Sequence, residues 1–210
     1  FAWVPLLENF DANAAAWAEF SAGAGQGARI LLAVTVGTGI GGGAIIDGEL
    51  LRGAIGGAME LGHILYEPGG RPCNCGLIGC VEAYAGGWGM ALEWGKHRGD
   101  SDAPSVSDLV KAGLEGDEEA NQVLDDGARI LGAGMMSALH LLNPDVVVIG
   151  GGIIDARPRH LELIEETLRS NVLPKASTEL TVVQAQHGNR AGLIGAAMCA
   201  EKASRQEDAG

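Results

Sequence analysis

Four residues with metal-binding side chains lie close together in the sequence: His63, Cys73, Cys75 and Cys80, in the pattern H-x9-C-x-C-x4-C. They include three of the four cysteines of the chain, and the segment around them (GGRPCNCGLIGC) has neither helical nor strand periodicity. Thiolates and an imidazole are ligands that Zn²⁺ prefers, and four of them complete a tetrahedral structural site. The pattern therefore predicts a zinc site with these four residues as its ligands.

The same cysteines have two other interpretations. Clustered cysteines form disulfides in an oxidising compartment, but Cys73 and Cys75 are too close to pair comfortably, and an odd cysteine would have only the distant Cys199. The chain opens with FAWVPLLENF, which lacks the basic segment of a signal peptide. Zinc is the preferred interpretation, and disulfides or inert thiols are the alternatives.

Two glutamates accompany this cluster. Glu60 lies three residues before His63, and Glu82 lies two residues after Cys80. The second nitrogen of a metal-bound imidazole can donate a hydrogen bond, and each carboxylate can accept one from a hydroxyl group. This chemistry favours a polyhydroxylated ligand held by Glu60, His63 and Glu82. The alternative for both glutamates is ordinary solvated surface charge.

Two glycine-rich segments each follow a predicted buried strand. Residues 37–43 (GTGIGGG) follow the apolar run 30–36, and residues 150–152 follow 146–149. Backbone amides in such turns bind phosphate, and the missing side chains let a ring or ribose approach the backbone. The first segment is neither a P-loop nor a clear dinucleotide fingerprint, so a glycine-rich hairpin corner and ordinary strand–turn packing are the alternatives. The residues predicted to contact such a ligand are Gly37, Thr38, Gly39, Gly41, Gly42, Gly150, Gly151 and Gly152.

Asp11 lies at a predicted junction between a strand, residues 4–7, and an alanine-rich helix. An Asp or Asn at a helix N-cap accepts hydrogen bonds from backbone amides, so Asp11 or Asn13 is suited to begin this helix. As a general base, Asp11 would instead accept the proton of a substrate hydroxyl during phosphoryl transfer. Taken alone, the local sequence favours the cap.

The remaining predicted elements position these segments. Two short strands flank the Asp47-Gly48 pair, and another is predicted at residues 180–183. Strands that end in glycine turns and continue into helices predict an α/β fold with ligands at the strand ends. Helices are predicted within residues 77–98 and at 105–112, 117–142, 158–170 and 189–203.

The composition is that of a globular protein and disfavours two classes of partner. Of the 210 residues, 47% are hydrophobic and 20% are charged, and no apolar stretch is long enough to span a bilayer. The formal net charge of −13 argues against a broad basic surface for nucleic acid or anionic membranes. We expect no nucleic-acid or membrane partner and a cytoplasmic location.

Together these motifs resemble the ROK family, the sugar kinases and repressors built on the actin-like ATPase (ribonuclease H-like) fold. The matching segments, in chain order, are ENFDANAA, VTVGTGIGGG, ELGH, CNCGLIGCVE and VVIGGG. The resemblance implies that Asp11 activates a sugar hydroxyl, usually at C6, for attack on the γ-phosphate of ATP with Mg²⁺. It implies sugar contacts from Glu60, His63 and Glu82, and a structural Zn²⁺. It also implies phosphate contacts at residues 37–43, and we expect a homodimer.

The sequence departs from the family pattern at two points. The family usually has Asn immediately before the catalytic Asp, whereas this chain has Phe10 there and Asn9 one place earlier. If the segment is extended, Asn9 and Asp11 share a face, and Asn9 can still contact the sugar. The opening phosphate motif of the family, which also serves the Mg²⁺ site, would precede Phe1. We therefore expect the chain to lack an N-terminal part and to be inactive as a kinase without it.

The resemblance also suggests a division of the chain and a choice of function. We expect residues 1–13 to be a remnant of an N-terminal lobe and hinge, residues 14–190 to form a large lobe, and residues 191–210 to return towards the N-terminal lobe. The predicted activity is hexose phosphorylation, with glucose favoured over N-acetylmannosamine, N-acetylglucosamine, fructose or allose. The alternative is a sugar-sensing ROK repressor with an upstream DNA-binding domain, against which the retained Asp11 and glycine segments argue. A zinc ribbon that binds nucleic acid is a third interpretation, disfavoured by the net charge of −13.

Overall fold

The computed structural model describes residues 10–207, which fold around a five-stranded sheet. The strands are β1 (Ile30–Val36), β2 (Ile40–Ile46), β3 (Glu49–Leu50), β4 (Val146–Gly150) and β5 (Thr181–Gln184). The helices are α1 (Phe10–Ala22), α2 (Glu82–Ala85), α3 (Gly87–Arg98), α4 (Val106–Leu114), α5 (Glu118–Leu142), α6 (Gly152–Ala156), α7 (Pro158–Asn171), α8 (Pro174–Glu179) and α9 (Ala191–Glu207). Two 3₁₀ turns lie at Leu61–His63 and Gly188–Arg190.

The sheet has the strand order β3-β2-β1-β4-β5. β1 pairs antiparallel with β2 and parallel with β4, and β4 pairs parallel with β5. Leu32 and Val34 of β1 belong to the core formed with α3 to α7, whereas Leu31 and Ala33 pack with Ala16 of α1 on the opposite face. Helices therefore cover both faces of the sheet, and the carboxyl ends of β1 and β4 meet at one edge, where ligands bind in such folds.

The first glycine-rich segment forms a shorter turn than the sequence predicts. Only residues 37–39 connect β1 to β2, because Ile40–Ile46 pairs along the whole of β1. A Cβ on Gly41 or Gly43 would lie 2.8 Å from an alanine Cβ of α1, so glycine at these two positions lets the helix approach the sheet closely. The predicted Asp47-Gly48 turn is confirmed, with positive φ at both residues, as a two-residue hairpin requires.

Most of the predicted helices are present, with local differences. α4 begins with a capping box in which Ser105 and Asp108 each accept a hydrogen bond from the backbone amide of the other. α5 ends at Leu142, and its C-cap Asn143 adopts a left-handed conformation with a φ of 46°. The helix predicted within residues 77–98 is divided at Gly86 into α2 and α3, and α6 and α8 have no counterparts among the predicted helices.

The N-terminal helix differs from its prediction at its first residue. α1 begins at Phe10, so Asp11 and Asn13 lie inside its first turns, and the prediction that either residue is the N-cap is wrong. The strand predicted at residues 4–7 lies outside the described residues. α1 packs against α9, where a Cβ on Gly195 would lie 1.7 Å from the carbonyl oxygen of Ala14. None of the helices within residues 10–207 combines the length and apolar character needed to cross a bilayer.

A charged network is buried between α5 and α7. Arg157, 5% exposed, donates hydrogen bonds to Asp125 and to Oδ1 of Asn121 (3.1 Å), and Arg159 donates to Asp125 at 3.0 Å. Burial raises the pKa of Asp125, but the hydrogen bonds from the two arginines outweigh burial and hold that pKa below its ordinary value. His160 is fully buried, and neither ring nitrogen has a protein partner among the described residues. Burial, followed by the charge of Arg157, lowers the pKa of His160 to about 4.

Because His160 is buried and neutral, we expect the folded protein to lose stability in mild acid. Its folded pKa of about 4 lies below the ordinary histidine value of about 6.5, so the unfolded chain takes up this proton first as the pH falls. Stability from the neutral ring is complete above about pH 6.5 and is lost progressively towards pH 4. We expect the free energy of unfolding to fall by about 2 kcal/mol between pH 7 and pH 5 from this group alone. Urea unfolding followed by circular dichroism at the two pH values measures the change.

Two histidine variants isolate this effect. His160→Leu should reduce the fall in unfolding free energy between pH 7 and pH 5 by about 2 kcal/mol, whereas His140→Leu, which replaces an exposed histidine of α5, should leave that fall unchanged. Carboxylates with lowered pKa values, such as Asp125, contribute their own loss mainly below about pH 4, the ordinary range of an Asp. The same pH dependence in the wild type and in His160→Leu would contradict the prediction.

Candidate metal centre and ligand cleft

The candidate metal ligands lie on the segment between β3 and α2. His63 ends the first 3₁₀ turn, and an isolated antiparallel bridge then pairs Leu65 with Cys80. Gly79 has a φ of 83°, and a Cβ there would lie 1.9 Å from the carbonyl oxygen of Glu67, so only glycine fits where the two arms of the segment cross. The bridge brings the two ends of the segment together and makes His63 and Cys80 neighbours.

The four predicted ligands converge on one point. One ligand atom from each of His63, Cys73, Cys75 and Cys80 lies within 4.8 Å of all the others. The sulfur atoms of Cys75 and Cys80 are 3.7 Å apart, and the Cys73 sulfur is 3.8 Å from Nδ1 of His63. Two sulfur ligands at about 2.3 Å from a tetrahedral zinc ion lie about 3.8 Å from each other. The three cysteines are free thiols, and the donor set and its spacing fit a tetrahedral metal ion.

Burial determines the protonation of two of the three thiols when no cation is bound. Burial raises the pKa of Cys73 and raises that of Cys80 to about 12, whereas a backbone hydrogen bond from Leu77 lowers the pKa of the exposed Cys75. Without a cation, the two buried sulfur atoms are therefore neutral thiols with only weak hydrogen-bonding ability. A divalent metal ion binds the thiolate form and favours deprotonation of all three cysteines.

The imidazole of His63 has one nitrogen for each predicted role. Nδ1 faces the sulfur of Cys73, and Nε2 lies 4.0 Å from Oε2 of Glu60. His63 is half-buried and Glu60 is exposed. This arrangement supports the prediction that one nitrogen binds the metal while the other is available to a ligand.

Glu82 begins α2 and joins three parts of the site. Its Oε2 accepts a hydrogen bond from the amide of Ile40 (2.8 Å), and its Oε1 accepts one from Nε1 of Trp88 (3.2 Å). A Cβ on Gly39 or Gly62 would lie 2.5 or 3.2 Å from Oε2, so the carboxylate fits between the β1–β2 turn and the 3₁₀ turn of the metal-binding segment. The interpretation of Glu82 as solvated surface charge does not hold, because its carboxylate is half-buried and hydrogen-bonded.

The two glycine turns meet at the carboxyl edge of the sheet and line one cavity of 560 Å³, called here the cleft. Gly151 has a φ of 108°, and a Cβ there would lie 2.4 Å from the carbonyl oxygen of Val36, so glycine is required where β4 passes the end of β1. Alanines of α1 form another part of the cleft wall. The predicted ligand-contacting residues that line the cleft are Gly37, Gly39, Gly41, Glu82, Gly150, Gly151 and Gly152.

The β1–β2 turn presents amides rather than carbonyl groups. The carbonyl oxygens of Gly37 and Thr38 accept hydrogen bonds from the amides of Gly87 (3.0 Å) and Trp88 (2.9 Å) at the start of α3. The Gly37 amide donates to the carbonyl of Gly39 at 3.0 Å. Within the described residues, the amides of Thr38 and Gly39 have no protein acceptor. Free amides in a glycine turn suit an anion such as phosphate.

A second cavity, of 950 Å³, adjoins the same turn. Gly37, Thr38 and Gly152 line it together with apolar side chains of α4 and α6, among them Val110 and Ile153. Cavities with apolar walls and a few polar groups are typical of small-molecule sites. The two cavities together offer a place for an anionic group at the turn and for a flat ring beside it.

Glu19 is a residue of the cleft that the sequence does not mark. It is 2% exposed, and its carboxylate accepts hydrogen bonds from the amides of Ala24 (2.9 Å), Gln186 (3.1 Å) and His187 (2.8 Å). These bonds tie α1 to the segment that follows β5. The only available signal was a glutamate within an alanine-rich helix, and its partners are distant in sequence.

Not every predicted site residue lines the cleft. A Cβ on Gly42 would lie 2.3 Å from the carbonyl oxygen of Met59, so Gly42 faces the other side of β2. Asn9 lies outside the described residues, and only the backbone of Asp11 is described, in the first turn of α1 beside Ala12, which lines the cleft. The structure thus brings the four candidate metal ligands together, and it places Glu82 in the cleft that both glycine turns line, whereas Glu60 and His63 are not among the described residues that line it.

The sequence matches the model of the ROK family over residues 4–203. It is 36% identical over 209 residues to a glucokinase of Halalkalibacterium halodurans, covering 91% of this chain and 62% of that protein. It is also 36% identical over 200 residues to an N-acetylmannosamine kinase of Salmonella heidelberg, covering 95% of this chain and 66% of that protein. The chain therefore spans somewhat less than two thirds of these relatives.

Solved structures agree with the family match. A ROK family glucokinase from Streptomyces griseus, in complex with glucose and AMPPNP, has a TM-score of 0.78 at 35% identity, covering 90% of this chain and 66% of that chain. A ROK family transcriptional regulator, a homologue of the E. coli MLC protein, has a TM-score of 0.78 at 31% identity, covering 89% and 49%. The mixed α/β structure with its five-stranded sheet is the actin-like ATPase fold of these proteins. The chain belongs to the ROK family.

Proposed function

We propose that the protein is an ATP-dependent sugar kinase that phosphorylates a hexose at its C6 hydroxyl. The observation that carries this proposal is the cleft, which is lined by both glycine turns, by Glu82 and by the helix that carries Asp11. A predicted sugar contact and predicted phosphate contacts thus share one cavity. The kinases among the relatives support the same reaction.

In the proposed reaction, Asp11 acts as the general base. Its carboxylate accepts the proton of the sugar hydroxyl while the hydroxyl oxygen forms a bond to the γ-phosphorus of ATP. The bond from that phosphorus to the bridging oxygen breaks, and ADP leaves with the electron pair. The amides of Thr38 and Gly39, which have no acceptor among the described residues, are the proposed donors to phosphate oxygens. Mg²⁺, when bound with ATP, neutralises phosphate charge.

The sugar contacts are proposed for Glu60, His63 and Glu82, with Asn9 as a further candidate. We assign Zn²⁺ to the site of His63, Cys73, Cys75 and Cys80, in a structural role, because four protein ligands leave no open position for chemistry. The chain's own residues then carry out binding and proton transfer. The cytoplasmic location and the homodimer predicted from the sequence stay predictions.

Glucose is the proposed sugar, on the resemblance of ENFDANAAAWAEF and VTVGTGIGGG to the glucokinase branch and on the glucokinases among the relatives. N-acetylmannosamine is the second candidate, because a kinase of that name matches at the same identity of 36%. A sugar-sensing transcriptional regulator is the second candidate function, and the observation that favours it is the TM-score of 0.78 to a ROK regulator.

A coupled ADP-release assay of the full-length gene product tests the proposal. The panel consists of glucose, N-acetylmannosamine, N-acetylglucosamine, fructose and allose, each with ATP and Mg²⁺. We expect turnover with glucose and weaker turnover with the others. Calorimetric binding of a sugar without turnover on any of the five would instead support the regulator.

A further inference from the structure

We propose that Glu82 is a positioning residue for the nucleotide as well as a sugar contact, because its carboxylate holds the β1–β2 turn in the form that binds phosphate. This inference rests on the proposed kinase function. Glu82 does not touch the reacting atoms in this role. It acts through the backbone amide of Ile40, the residue that follows the turn.

The first argument is geometric. Glu82 Oε2 lies 2.8 Å from the Ile40 nitrogen, and Oε2 would be 2.5 Å from a Cβ on Gly39, so the carboxylate is in contact with the turn itself. The other carboxylate oxygen, Oε1, accepts a hydrogen bond from Nε1 of Trp88. The backbone amide of Trp88 in turn donates a hydrogen bond to the carbonyl oxygen of Thr38. Glu82 and the start of α3 therefore hold the turn from two directions.

The second argument concerns which amides are left free. The Ile40 amide donates a hydrogen bond to the Glu82 carboxylate, and the Gly37 amide donates one to the carbonyl oxygen of Gly39, so neither amide is free. Only the amides of Thr38 and Gly39, between them, lack a protein acceptor within the described part of the turn. The carboxylate thus helps to fix the orientation of the two groups placed to bind phosphate.

The third argument concerns the metal-binding segment. Glu82 follows Cys80 by two residues, and the Val81 amide donates to the carbonyl of Ile64 (3.0 Å), next to His63. The position of Glu82 is therefore set by the same segment that carries the metal ligands. One carboxylate joins that segment to the turn.

The direction in which Glu82→Gln changes nucleotide affinity distinguishes a positioning role of Glu82 from a purely electrostatic one. A carboxylate near a phosphate site repels the nucleotide, so if Glu82 acted on the nucleotide by charge alone, Glu82→Gln would tighten nucleotide binding. If Glu82 positions the turn, the same substitution should weaken binding, because an amide presents an NH₂ group to either the Ile40 or the Trp88 donor. A lost hydrogen bond to a charged group corresponds to about a tenfold change in the dissociation constant.

The experiment measures AMPPNP binding to the full-length gene product by calorimetry with Mg²⁺ and without sugar. We expect Glu82→Gln to raise the dissociation constant for AMPPNP about tenfold. The matched control is Glu60→Gln, which alters another proposed sugar contact that has no bond to the turn. It should weaken glucose binding and leave AMPPNP binding unchanged. Unchanged or tighter AMPPNP binding in Glu82→Gln would overturn the inference.

Hydrogen exchange keeps this inference separate from the proposed function. Exchange of a peptide that includes Ile40 should be faster in Glu82→Gln than in the wild type and in Glu60→Gln, whether or not nucleotide binds. If the wild type fails to bind AMPPNP, the kinase proposal fails, and exchange at Ile40 still decides whether Glu82 holds the turn. If Glu82→Gln does not fold, Glu82→Asp is measured instead, since it keeps the charge and shortens the reach to Ile40, and unchanged exchange there would overturn the inference.

Discussion

Asp11→Ala should lower kcat of the full-length gene product by about 10²-fold to 10⁴-fold, the range expected for removal of a general base. The sugar hydroxyl is a weak nucleophile, and without a carboxylate to accept its proton it must attack the γ-phosphate unassisted. Sugar binding should weaken only modestly, because Glu60, His63 and Glu82 are proposed to make the other polar contacts. Steady-state kinetics with the preferred sugar, together with calorimetric binding of that sugar, measure both quantities.

Two further variants distinguish loss of the base from loss of structure. Asp11→Asn keeps the shape of the side chain but cannot accept the proton, so it should be as inactive as Asp11→Ala. Asp102→Ala removes an exposed carboxylate far along the chain and should keep wild-type turnover. Wild-type kcat in either Asp11 variant would remove this residue from the mechanism.

Much of the fold could be predicted because its signals are local. The apolar run of β1 and the Pro-initiated α7 match their predicted positions within a residue. Asp117 caps α5, where the sequence places an acidic residue before a long helical pattern. These patterns depend only on residues close together in sequence, so strand and helix positions can be predicted from them without knowledge of the tertiary structure.

The glycines of β2 show where local reasoning fails. Gly41 and Gly43 look like part of a phosphate loop, but they lie in a strand, and their small size serves the approach of α1. That helix is about thirty residues earlier in the chain, and its position over the sheet follows from tertiary packing. α8 was also beyond prediction, because none of its residues is buried and it lacks an apolar stripe.

The candidate site shows the same contrast. The metal ligands could be predicted from spacing, because His63 and the three cysteines lie within eighteen residues of sequence. Other contacts of the site join positions far apart in sequence. Glu19 accepts hydrogen bonds from the amides of residues 186 and 187, and Glu82 accepts one from the amide of Ile40. Tertiary packing of helices and loops on the sheet brings such positions together.

Cys80→Ser should remove the metal and destabilise the protein by about 4 kcal/mol or more, because loss of a structural metal belongs to the most severe class of substitutions. The segment from His63 to Cys80 has little core of its own, since Leu65, Leu77 and Ile78 are each more than half exposed. A bound metal ion would therefore supply stability that packing does not. Metal analysis of the purified protein should find one zinc ion per chain in the wild type and little in Cys80→Ser, and urea unfolding gives the change in stability.

Cys199→Ser is the matched control, because Cys199 is the one cysteine outside the cluster in sequence. This variant should keep the zinc content of the wild type. A chelator should lower the stability of the wild type and of Cys199→Ser but leave that of Cys80→Ser unaffected, since the latter has no metal to lose. Wild-type protein purified without zinc and insensitive to the chelator would show that the four side chains are held together by the fold alone. The site would then be a cluster of free thiols, two of them buried, and the position of Glu82 would depend on the backbone bridges of the segment instead of on the metal.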